Sequence, residues 1–401
     1  MAIRALLFAA SLGRLLCSTA FVAKYHRRDW HGRAGETKSV TMGAAEVVCV
    51  GDALFDCIAE ERAMGWSVEA MVEAGAWKAW PGGAPANVAT ALCKLGTPAS
   101  FAGCVGADAD GDVLQAILEE SGVDTSLLRR TDVAPTRRVM VTRSKDGDRE
   151  FAGFADGRSP DSFADCFLDA SKWSRSSGGG GGGTSITALA DTKWVVCSTL
   201  SLAYQQSGDA VYYIVDNALQ NGARLYVDVN WRPMFWPPGS ETAARGEILR
   251  LSNRAHVVKL TDEEAEWLLD IPGAEALEKP EKVHAEFPNA LAVLVTAGEK
   301  GAAFSMLGQT GKVPPFQVDV TETTGAGDSF TAGFLHGLLA MDIDFDMFNV
   351  LVPKEQRPLL VNMLLRFAAA VGALTCTAEG AIAAQPTYAE VEKFIAGGSD
   401  T

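Results

Sequence analysis

Five short apolar runs after residue 45 constrain this chain more than any other feature: 46–50, 194–198, 225–229, 256–260 and 291–295. Each is rich in β-branched residues and lacks the polar–apolar alternation of a half-exposed strand. Such runs read as strands covered on both faces. Apolar residues at helical spacing lie between or after them, at 84–95, 111–121, 207–221, 263–269, 327–339 and 359–375. Strands alternating with helices predict an α/β fold with a doubly wound, mainly parallel sheet flanked by helices. Ligands of such sheets gather at the carboxyl ends of the strands. The polar residues that break the pattern stand there: Asp52 and Asp56, then Asp228, Asn230 and Arg232, then Lys259, Thr261 and Glu264, then Thr296 and Gly298. Four such endings predict one shared crevice.

Residues 134–156 have a different texture, with Thr136-Arg137-Arg138-Val139 leading to Asp146-Gly147 and then Arg149-Glu150-Phe151. Asp-Gly between β-rich runs is a hairpin signal. The hairpin is either an edge of the main sheet or part of a small separate one. The glycine run 178–183, within a loop at 174–185, lacks the GK[ST] ending of a phosphate loop and reads as a flexible linker.

Residues 1–45 read as a presequence. A short basic start and an apolar stretch reach Ser18-Thr19-Ala20, then Phe21 and an acid-poor basic tail follow. This resembles the two-part plastid presequence of algae with complex plastids; a cytoplasmic or mitochondrial location is the alternative. The remainder, 46–395, reads as one domain. No apolar run reads as a membrane span. The chain carries −15 overall, but residues 1–40 carry +5, so the body carries −20. A body so acidic repels phosphate backbones and excludes nucleic-acid binding. Eight scattered cysteines without a CxxC pair, and five histidines off metal-ligand spacing, exclude a zinc site.

Two stretches carry chemistry. In Thr323-Thr324-Gly325-Ala326-Gly327-Asp328-Ser329-Phe330, two glycines let the backbone present successive N–H groups at a helix start, where the dipole favours an anion. Asp328 stands within reach of whatever binds there. Taken alone, the stretch reads equally as a glycine turn with Asp as a helix cap. In Trp80-Pro81-Gly82-Gly83-Ala84-Pro85-Ala86-Asn87, the glycines permit close backbone approach, and the Asn87 amide both donates to and accepts from a hydroxyl.

Together with Gly103–Asp112, these stretches resemble the two signatures of the ribokinase-like (pfkB) carbohydrate kinases, and the resemblance extends over 46–390. Fructokinases look nearest, through Gly82–Asn87 and Asp146–Phe151. The resemblance implies a large α/β domain with a small β-sheet lid built from parts of 54–80 and 134–156. It implies Asp328 as the base that takes a sugar hydroxyl proton, and Gly325, Ala326 and Gly327 as the anion hole for the phosphoryl group. Asp56, Gly82, Gly83 and Asn87 match sugar-binding positions. Thr296, Gly298, Gly301, Lys259 and Gly380 match nucleotide positions. Glu264 and Asp228 are implied on the Mg²⁺ side. Glu322 stands where several members have an Asp at a monovalent-cation (K⁺) site, and Ala369 where an Asn commonly faces the adenine. The expected reaction is ATP- and Mg²⁺-dependent phosphorylation of a sugar, with fructose first. Ribose, a nucleoside or 2-keto-3-deoxygluconate are alternatives; an acid substrate would need a cation from Arg137, Arg138, Arg143 or Arg158, which as hairpin arginines read as solvated. A reading of another class is a non-catalytic, fructokinase-like plastid interaction protein. The resemblance also implies a homodimer through the lid.

Overall fold

The computed structural model describes residues 45–397 apart from 64–65, 67, 144–148, 174–188 and 344. Nearly all of the presequence, the Gly-rich run and the Asp146-Gly147 turn therefore lie outside the described residues. In chain order the strands are β1 (Val47–Val50), β2 (Leu54–Ala59), β3 (Trp77–Gly82), β4 (Ala99–Ala102), β5 (Cys104–Gly106), β6 (Arg129–Thr131), β7 (Arg138–Arg143), β8 (Arg149–Phe154), β9 (Trp194–Ser198), β10 (Arg224–Asp228), β11 (Val257–Thr261), β12 (Ala292–Thr296), β13 (Ala302–Met306) and β14 (Gln309–Val313).

Eight of them form the main sheet, in the order β14-β13-β12-β11-β10-β9-β1-β4. All five apolar runs are central, mutually parallel strands of it. Their lack of alternation has a direct cause. Val47 and Cys49 of β1 pack into one buried cluster, and Val48 and Val50 into another on the opposite face. The same division holds for Trp194/Val196 against Val195/Cys197, and for Ala292/Leu294 against Val293/Val295. Each buried Val contributes about 1.5–3 kcal/mol. On the first face lie the helices Ala84–Leu95, Ala326–Ala340 and Arg357–Thr375, and on the second Gln205–Gln220 and Glu241–Ser252. β13 and β14 extend the sheet antiparallel.

The stretch 354–375 is long and apolar enough to cross a membrane, contrary to the reading of the sequence. Leu364, Ala368 and Val371 are nevertheless fully buried in the cluster shared with the sheet, as in a core helix.

The chain leaves β1 in two directions, to β4 on one side and β9 on the other. Where strand order reverses in this way, a crevice opens beyond the carboxyl ends. A second sheet, β3-β2-β7-β8, stands next to it, because β2 follows β1 directly and β3 leads into the Ala84–Leu95 helix. It joins the stretches 54–80 and 134–156: β2 is antiparallel to β3 and parallel to β7, and β7–β8 is the expected hairpin, with a bulge between Met140 and Val141. β5 and β6 form a third, two-stranded sheet.

Candidate active site

Asp328 lies in the first turn of the Ala326–Ala340 helix. The residue capping that helix, Gly325, has φ 79°. Only glycine adopts this left-handed turn without strain, and the first-turn amides of a helix have no partner within the helix itself. The Ala326 N–H is turned inward, donating to the Thr323 carbonyl at 3.2 Å. Of the three residues expected to form the anion hole, that leaves Gly325 and Gly327 as the better placed donors.

Facing this turn is the second glycine stretch. Asn87 is buried in the first turn of the Ala84–Leu95 helix, and its Nδ2 donates to Asp328 Oδ2 at 2.8 Å. Two motifs far apart in the chain thus share one hydrogen bond. Asn87 Oδ1 is buried without a partner, an acceptor left for a ligand hydroxyl. The position of Asn87 is fixed from behind by Gln385, whose Nε2 donates to the Asn87 carbonyl at 2.8 Å while Thr90 Oγ1 donates to its Oε1 at 2.9 Å. Asp56 belongs to the same wall: a Cβ on Gly82 would stand 2.9 Å from its Oδ2. Gly83 has φ 102°, and its Cα face lies against the Asp52 carbonyl.

Beneath Asp328, Lys259 Nζ donates to Asp228 Oδ2 at 2.6 Å, both side chains being buried. The ammonium lies 3.3 Å from where a Cβ of Gly327 would be, so Lys259 supports the helix start. Burial opposes its charge, but the Asp228 carboxylate holds its pKa above the ordinary lysine value. Asp328 is partly buried. Desolvation, joined by the Asp228 charge, raises its pKa to about 6, against the opposing pull of Asn87, Lys259 and Arg232. Asp52, at the end of β1, is pushed to about 7 by burial and then by the charge of Asp165; Ser198 Oγ, at the end of β9, donates to it at 3.4 Å.

Glu264 begins the Asp262–Leu269 helix in a capping box with Thr261. Its Oε2 accepts the Thr261 N–H at 2.8 Å and its Oε1 the Trp231 N–H at 2.7 Å. Burial, then the Asp228 charge, raises its pKa. Among the described residues no group of three or more His, Cys, Asp or Glu side chains could hold a metal ion. Thr296 pairs with Thr261 at the carboxyl end of β12, and Gly298 and Gly301 form the turn into β13, with a bond from Gly301 N–H to the Gly298 carbonyl at 3.0 Å. These three lie on the same sheet edge as Asp228 but beyond β11, away from Asn87. Buried Glu322 accepts the Gly380 N–H at 3.2 Å.

Of these arginines, Arg137 departs from the solvated reading, while Arg138 and Arg158 keep much of their side chains in solvent. Arg137 is only 1% exposed; its Nε and Nη2 donate to the Asp165 carboxylate at 2.8 and 3.0 Å, under the rings of Phe154, Phe163 and Phe235. Arg138 is bidentate on Asp110 at 2.5 and 2.6 Å, and Arg158 lies 3.6 Å from Asp156. No spacing rule links Arg137 to Asp165; the Arg137 pair arises only when the second sheet packs on the loop after β8.

The pfkB family carbohydrate kinase profile matches residues 44–388. The chain belongs to the pfkB family of carbohydrate kinases. This kinase is 32% identical to "Probable fructokinase-2" of Arabidopsis thaliana, over 87% of its own length and 95% of the relative's. It is also 32% identical to "Probable fructokinase-6, chloroplastic" of the same plant, over 92% and 87%. Among solved structures it resembles a fructokinase with bound ATP from Xylella fastidiosa, with a TM-score of 0.72 and 28% identity over 88% of this chain and 99% of that one. A fructokinase from Vibrio cholerae O395 in fructose-, ADP- and calcium-bound form gives a TM-score of 0.66 and 26% identity over the same shares. The kinase therefore transfers a phosphoryl group to a sugar hydroxyl.

Proposed function

We propose that this kinase phosphorylates fructose with ATP, and that Asp328 is its base. The observation that carries the reading is the Asn87–Asp328 bond, which puts a hydroxyl-binding amide and a carboxylate of raised pKa on one hollow. The fructose assignment is supported by the fructokinase relatives and by the fructose-bound Vibrio structure.

In this reading the sugar lies between Asp56, Gly82, Gly83 and Asn87, with Asn87 Oδ1 accepting from one of its hydroxyls. Asp328 accepts the proton of the reacting hydroxyl. The oxygen forms its bond to the γ-phosphorus as the bond to the β,γ-bridging oxygen breaks, and ADP leaves. The Gly325 and Gly327 amides and the Lys259 ammonium stabilise the transferring group, which asks the protein mainly for position and positive potential. The turn at Thr296, Gly298 and Gly301 takes the nucleotide. The second sheet covers the sugar and keeps water from competing as acceptor.

Mg²⁺ would enter with the nucleotide and neutralise its phosphates. Both Glu264 oxygens already accept a backbone amide and Asp228 is paired with Lys259, so neither is a bare ligand. Each oxygen of Glu264 keeps a lone pair, suited to accept from a metal-bound water. We place the kinase in a plastid, on the composition of residues 1–45 and the chloroplastic relative.

A panel of fructose, ribose, adenosine and 2-keto-3-deoxygluconate with ATP and Mg²⁺ tests the assignment. Fructose is expected to give the highest kcat/KM; a higher value for another acceptor overturns the substrate, and no phosphorylation of any of them overturns the reading.

A further inference from the structure

We propose that Lys78 and Trp80 are positioning residues through which the sugar-side sheet sets the anion hole. This deepens the reading above and rests on it. In the β2–β3 register Asp56 opposes Trp80 and Leu54 opposes Gly82. Side chains two apart share a face of a strand, so Lys78, Trp80 and Gly82 lie on the face that carries Asp56. From that face the sheet reaches across to the loop 377–381. Lys78 Nζ donates to Glu379 Oε2 at 2.7 Å and stands 4.1 Å above the centre of the Trp80 ring. The ring itself rests on Gly380, where a Cβ would come within 2.5 Å of it.

Beyond Gly380 the contacts continue inward. Its N–H is held by the buried Glu322 carboxylate, immediately ahead of Thr323. The next residue, Ala381, is packed on Gly325: a Cβ there would meet that of Ala381 at 2.8 Å. Gly325 is the left-handed turn at which the helix of Gly327 and Asp328 begins. An unbroken series of contacts thus runs from the strand beside Asp56 to the phosphoryl site. Sugar held by Asp56 stabilises the docked sheet, the docked sheet holds 377–381, and that loop fixes Gly325. Sugar and nucleotide then bind with positive coupling, each raising the affinity for the other by the same factor.

Calorimetric titration of a non-hydrolysable ATP analogue, with Mg²⁺, in the absence and presence of saturating fructose reads that factor directly. The parent is expected to bind the analogue about fivefold or more tightly with fructose present. Trp80→Ala is expected to reduce the factor to nearly one while folding and analogue affinity without sugar stay within about twofold. Lys78→Glu, at an exposed position that the fold does not need, is expected to lower the factor, and Lys78→Glu with Glu379→Lys to restore it. A merely structural contact would change stability and leave the coupling factor of the single variant at the parent value. A parent that phosphorylates fructose but shows no coupling, or variants that keep it in full, overturn this inference alone. A parent that phosphorylates no sugar overturns the functional reading and this inference with it.

Discussion

Replacing Asp328 by Asn should make the kinase nearly inactive and, at the same time, more stable. The side chains are nearly isosteric, and the amide oxygen still accepts from Asn87 Nδ2, so the geometry of the site persists. What disappears is the proton acceptor. A positioned general base contributes about 10²–10⁴-fold, so kcat should fall by that factor while the fructose KM moves by no more than about threefold. The stability term follows from the pKa. Asp328 rises from 3.8 to about 6 on folding, so below the lower value its protonated form carries no penalty. As pH climbs through that interval the fold loses stability, and above about 6 the whole cost is present. The full shift corresponds to about 3 kcal/mol. Residual solvent contact of the side chain reduces this to about 2 kcal/mol. At an unfolding entropy of ~2.1 cal/mol/K per residue over the roughly 330 residues described above, Tm should rise by about 3 °C at pH 8. The advantage should shrink as pH is lowered from 6 towards 4. Coupled-enzyme assay of ADP release and calorimetric melts at pH 8, 6 and 4.5 check both halves. A variant that keeps half the parent rate refutes the base; one that melts below the parent at pH 8 refutes the electrostatic account.

Other outcomes follow from the same geometry. The kcat/KM of the parent should decline below about pH 6 as Asp328 takes up its proton, measured as a pH–rate profile at constant ionic strength. Asn87→Ala removes a hydrogen bond to a charged group, and should lower kcat/KM for the sugar by about 10–100-fold with little change in the nucleotide KM, as initial-rate kinetics will read. Lys259→Met leaves Asp228 buried and unpaired, and should cost about 3–5 kcal/mol in denaturant unfolding; Lys259→Met with Asp228→Leu should recover much of that stability while remaining poorly active.

The central strands were legible because burial on both faces leaves an unmistakable mark, five apolar runs without alternation. β13 and β14 left a fainter one: Gln309–Val313 alternates at a sheet edge, and Gly311 interrupts it. The two stretches that meet at the candidate site were legible because glycine and acid or amide occur together in a turn, as at Gly325–Asp328 and Gly82–Asn87. The sequence did not convey what each side chain would be paired with. Nothing local announces that Lys259 is paired with Asp228 or that Trp80 rests on Gly380, and Arg137 reads as solvated but is buried on Asp165. Each of those partners is brought in by tertiary packing from another part of the chain, where no local rule operates.

The hydrogen bond between Asn87 and Asp328 closes over 241 residues of chain. At a translation rate of roughly 5–20 residues per second, the second partner leaves the ribosome roughly 10–50 s after the first. Throughout that interval the emerging polypeptide has the sugar-side residues without the carboxylate proposed to take the hydroxyl proton. On the proposed mechanism, a nascent chain or one truncated before Asp328 is unable to transfer the phosphoryl group, and activity arrives only with the last fifth of synthesis.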